Sequence, residues 1–106
     1  MSEKLNEKIK KSLEELVGYE FSSADKHDIY KLVDKIYDVL WDGLKRVCPD
    51  FEVKYLAIED PWAADLIETS QIIMMDIICP KKGKRYVAMM GLNYVIADVE
   101  VEEEDI

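Results

Sequence analysis

The sequence predicts an α+β fold, with two N-terminal helices packed on an antiparallel sheet of three or four strands that dimerises through the sheet. Three observations carry this. Apolar residues recur at helical spacing as far as Val47. After Cys48-Pro49-Asp50 the period changes from about 3.6 to 2. From there on, Gly- and Pro-containing turns separate short apolar runs. A length of 106 residues allows one domain over residues 1–106, and 49% hydrophobic with 35% charged residues marks a globular chain.

Leu5, Ile9, Leu13, Leu16 and Val17 define an amphipathic helix over about residues 3–17, with lysines and glutamates between them. Gly18 suits a left-handed C-terminal cap. Ser22 and Ser23 offer an N-cap to a second helix over about residues 24–47, with Asp25 in its first turn. Ile29, Leu32, Val33, Ile36, Leu40, Leu44 and Val47 form its core stripe, and Tyr30, Tyr37 and Trp41 form a second stripe beside it. Pro49 ends it, because proline disfavours helix in the residue before it.

The strands follow at about residues 51–58, 66–79, 85–92 and 94–101. EDPWAAD, 59–65, reads as a loop. PKKGK, 80–84, reads as a hairpin turn in which Gly83 can take positive φ. Gly91, Leu92 and Asn93 suit a tight turn or a bulge. Residues 102–106 read as a frayed, solvated acidic tail.

The stretch QIIMMDIICP, 71–80, does not alternate. Ile72, Met74, Asp76 and Ile78 fall on one side, and Ile73, Met75, Ile77 and Cys79 on the other. RYVAMMGL, 85–92, is also apolar on both sides. Two helices cover only one face of such a sheet. Burying one Leu- or Met-sized side chain is worth roughly 1.5–3 kcal/mol. Four or five left in water would forfeit much of the about 5–15 kcal/mol that holds a domain together. A second copy, a different protein or a sheet that closes on itself would cover the second face, and a symmetric homodimer is the commonest arrangement. The plain alternative is that the helices wrap further round. The pairs Met74–Met75 and Met89–Met90 are either core filler or an adaptable peptide-binding surface.

Composition excludes several function classes. A net charge of −9, from 23 acidic and 14 basic residues, opposes binding to nucleic acid or to anionic membranes. The N-terminus lacks a signal-peptide core, and no apolar run approaches the roughly 20 residues of a membrane span. Cys48 and Cys79 lie far apart without metal-ligand spacing and read as reduced thiols in a cytoplasmic protein.

The residues carry almost no catalytic apparatus, so no enzyme, metal or cofactor is expected. His27 is the one histidine, expected on the surface of the first helical turn. A thiol triad would need it as partner to a cysteine, and no Gly-rich phosphate loop is present. Glu59, Asp60, Asp65 and Glu68 are pairs that so acidic a chain forms by chance. Asp76 needs neutralisation, from Lys81, Lys82, Lys84 or Arg85 across the turn or from a partner at an interface. Trp62 is either a lid over the core end or an exposed anchor.

Four stretches carry a resemblance: IKKSLEELVGY at 9–19, FEVKYLAI after the long helix, AADLIETSQIIMMD at 63–76 and RYVAMMGL at 85–92. Together the chain resembles the Tctex-type dynein light chains over about residues 5–96. The family has a further strand where this chain has only a turn between Asp76 and Arg85, and a Trp where Met75 stands. The resemblance implies two helices on a sheet that exchanges a strand in a dimer. It also implies a noncatalytic, cytoplasmic homodimeric adaptor in a microtubule motor complex. Such an adaptor binds an extended segment of a dynein intermediate chain or of cargo by strand addition.

On that reading Leu66, Glu68, Ser70 and Ile72 line the peptide groove. Ile67, Thr69, Gln71, Ile73, Met75 and Met89 form the dimer interface, the assignment of the two faces being open. The alternative function is a small acidic inhibitor or mimic that occupies a basic site on a partner enzyme.

Overall fold

The computed structural model describes residues 4–20, 25–59, 71–93 and 95–105. Two helices, α1 (Leu5–Glu14) and α2 (Lys26–Leu44), precede four strands, β1 (Glu52–Glu59), β2 (Gln71–Cys79), β3 (Lys84–Asn93) and β4 (Val95–Asp105). The strands form one antiparallel sheet in the order β1-β2-β3-β4. The fold is α+β, as the change of period predicts.

Local features mark the start of α2 and the exit from α1. The N-cap of α2 is Asp25, whose carboxylate accepts from the His27 N–H at 2.8 Å. Ser22 and Ser23, expected in that role, lie outside the described residues. Gly18 takes φ +92 after α1, and its N–H donates to the Ile96 carbonyl at 2.7 Å. The exit from α1 thereby pairs with the start of β4, where Glu20 bridges Val95. Lys35 of α2 sits 5.1 Å from the Tyr19 ring centre and ties the same exit to the second helix.

One core lies between helices and sheet. Ile9, Leu13 and Leu16 of α1 and its exit, with Leu32, Ile36, Leu40 and Leu44 of α2, pack on Ile73, Met75, Ile77, Tyr86, Ala88, Met90, Ile96 and Val99. The two helices approach closely at Gly43. A Cβ there would overlap the Ser12 hydroxyl, which donates to the Lys8 carbonyl at 2.9 Å.

Two expectations are corrected. Cys48 and Cys79 are joined in a disulfide, with Cα atoms 6.0 Å apart. The end of α2 abuts the end of β2, a proximity that 31 residues of separation conceal. The thiols therefore no longer argue for a reducing compartment. The acidic run expected to fray instead continues β4 to Asp105. Val99 and Val101 hold that strand against the core, and Glu103 and Glu104 accept from Tyr86 and Arg85 of β3.

The hairpin between β2 and β3 turns through Pro80–Lys82, with Gly83 left-handed at φ +63. The pairing of β3 with β4 shifts between Gly91 and Leu92. A second irregularity, in β1 between Lys54 and Ala57, has no glycine to announce it. Tyr55 there takes φ +56 and is exposed.

Candidate functional site

The registers place four rows of side chains on the sheet face opposite the core. The central row runs Ala57, Met74, Met89, Glu100. On one side of it lies the row Glu59, Ile72, Gly91, Asp98. On the other lie Lys54, Asp76, Val87, Glu102 and then Glu52, Ile78, Arg85, Glu104. β2 and β3 thus present Met74, Met89, Val87 and Ile78 on this face, interrupted by Asp76 and Arg85, with Ile72 buried at one end, and β4 presents a column of four carboxylates. Ile72 is buried yet lies outside the core cluster, and Met74, Ile78, Val87 and Met89 are half-buried. Both described helices belong to the core on the other side.

The column is neutralised at one end only. Arg85 donates to the Glu104 carboxylate, and this hydrogen bond, reinforced by the charges of Glu104 and Asp76, raises the guanidinium pKa further. Asp98, Glu100 and Glu102 face Gly91, Met89 and Val87, none of which carries charge. Asp76 stands in register with Lys54 of β1, whose ammonium pairs with Glu52 at 3.7 Å, and the charge of Asp76 reaches Arg85, one of the partners expected across the turn.

Glu103 points the other way along β4 and accepts from the Tyr86 hydroxyl at 3.1 Å. Burial, then this hydrogen bond to a carboxylate, pushes the phenol up to about 12.

The described members of the expected site fall on both faces of the sheet. Leu66, Ile67, Glu68, Thr69 and Ser70 lie outside the described residues, as does Trp62. Ile72, expected in the peptide groove, lies on the face opposite the core cluster and is buried. Ile73 and Met75, expected at a dimer interface, are instead core residues under the helices, and Gln71 shares their side of β2. Met89 pairs across the strands with Met74 rather than Met75, so it parts from the rest of that expected interface. Sequence reasoning grouped Met74 and Ile78 on one side of β2 without placing them in a site, and it missed Val87 and the β4 column. Their signal is the parity of β3 and β4 read together, and it requires the end of the chain to be a strand.

Elsewhere, Tyr30, Tyr37 and Trp41 are exposed along α2, with Tyr37 stacked on Phe51 at 6.3 Å. A cavity of about 380 Å³ opens between α2 and β1–β2, lined by Ile29, Leu32, Val33, Leu56, Ile58 and Ile73 among others. His27 is exposed. Among the described residues no group of three or more His, Cys, Asp or Glu can hold a metal ion, and no helix is long and apolar enough to cross a membrane. No protein-family model, no curated protein and no solved structure matches the chain.

Proposed function

We propose that this chain is a noncatalytic adaptor that binds a protein partner on the open face of its sheet. The observation that carries the reading is the half-buried apolar group Met74, Ile78, Val87 and Met89 on the side away from both described helices. Covering these half-buried side chains would remove their remaining apolar surface from water. The resemblance to Tctex-type dynein light chains supports the same class of function.

The test is a selection of displayed peptides on the immobilised chain, followed by hydrogen exchange on the complexes. Selected binders protect amides of β2 and β3 and lose affinity for Val87→Asp. Binders that protect only α2, or that ignore Val87→Asp, would overturn the reading.

A second reading, an acidic mimic that occupies a basic site on an enzyme, is favoured by the column Asp98, Glu100, Glu102 and Glu104. It differs in needing the carboxylates alone, so binding would survive Val87→Asp and fail with Glu100→Lys/Glu102→Lys.

A further inference from the structure

We infer that the occupant of the open face is a basic amphipathic helix of a partner protein, seated on Met74 and Met89 with its cationic flank over Asp98, Glu100 and Glu102. This rests on the adaptor reading and adds the chemistry of the partner.

Shape is the first reason. A helix about 10 Å across covers two strands spaced about 4.8 Å apart. The large apolar side chains of this face, Met74, Met89, Val87 and Ile78, lie on the two central strands β2 and β3, while the edge strands contribute Ala57 and charged residues. A helix laid there would complete a third layer, with the sheet between helices on both faces.

Charge is the second reason. Along β4 the carboxylates recur at every second residue, about 6.6 Å apart. Lysine or arginine at every fourth position of a helix recurs about every 6 Å. The two spacings agree within the reach of a long side chain. Arg85 occupies only the Glu104 end, and no described cation pairs with Asp98, Glu100 or Glu102. A basic flank on one side of the apolar stripe therefore fits, and an acidic one is repelled.

Adaptability is the third reason. Met74 and Met89 are unbranched and directly opposed at the centre of this group, so they repack around helices of differing side chains.

The same charges argue against a second copy. Each chain carries −9, and a copy placed face to face brings the same carboxylates with it. Phosphate polymers and anionic bilayers carry the wrong sign.

Three synthetic peptides of about 18 residues, long enough for a marginal helix, test this by fluorescence anisotropy with the full chain. One has a Leu/Met stripe with Lys and Arg flanks, one the same stripe with Glu flanks, and one the first composition scrambled. The basic amphipathic peptide binds and gains helix by circular dichroism, and the other two bind at least about tenfold more weakly. Glu100→Lys/Glu102→Lys, both exposed positions, shifts the preference towards the Glu-flanked peptide. Equal binding of the Glu-flanked peptide would overturn the charge inference and leave the adaptor reading standing. Light scattering that shows a dimer split by Met89→Asp would make a second copy the occupant and likewise overturn only this inference. Binding of the basic peptide that Met89→Asp leaves unchanged would overturn both.

Discussion

Met74 and Met89 face each other across β2 and β3 on the open side of the sheet, while their chain neighbours Met75 and Met90 are buried beneath the helices. Each methionine pair is therefore split, with one thioether in the core and one on the candidate docking surface. Core filler describes Met75 and Met90, and Met74 and Met89 lie on the opposite side of the sheet.

This split predicts unequal costs for the same substitution. Met90→Ala removes a fully buried side chain and is expected to cost about 2–5 kcal/mol. Met89→Ala, one residue away, is expected to cost less than about 1 kcal/mol. Urea denaturation of the two variants checks the difference.

The disulfide predicts strong dependence on reductant. Closing a loop with a sequence separation of 31 stabilises by about 3–4 kcal/mol in the chain-entropy account. Thermal unfolding with and without dithiothreitol measures it. A Cys48→Ala/Cys79→Ala variant should melt lower than wild type and be insensitive to the reductant.

Gly43 predicts a coupled pair. Alanine normally favours a helix interior by about 1 kcal/mol over glycine. Here its Cβ would overlap the Ser12 hydroxyl, so Gly43→Ala is expected to destabilise by about 1–2 kcal/mol. Ser12→Ala in the same background removes the clashing oxygen and should recover part of that loss. A double-mutant cycle in guanidinium chloride reads the coupling.

Tyr86 predicts alkaline sensitivity. Its phenol rises from 10.0 in the unfolded chain to about 12 in the fold, so the folded state holds its proton more tightly. The associated stability is fully present below pH 10, declines as pH rises towards 12, and is on the order of 2 kcal/mol. Denaturation curves across that interval should show a decline that Tyr86→Phe removes.

The sequence by itself determined the order and type of the elements. Helical periodicity is a local display of side chains, legible in Leu5, Ile9 and Leu13 without any partner, whereas the alternation begun by Phe51 and Val53 breaks at Tyr55, which is exposed at φ +56. It also raised the question of the second face, because 71–79 is apolar on both sides. Only the tertiary structure decided which side met the helices, since that depends on pairing between distant strands. A one-residue shift in register moves every side chain to the opposite face. This chain has two such irregularities, at Tyr55 and between Gly91 and Leu92. The acidic end shows the same limit: alone, Glu102 to Asp105 reads as a solvated tail. Pairing with Lys84 to Val87 makes it a strand, turns Glu103 towards Tyr86 and aligns Glu100, Glu102 and Glu104 on the open face. The disulfide was equally hidden, because contact between the ends of α2 and β2 is a property of packing rather than of spacing.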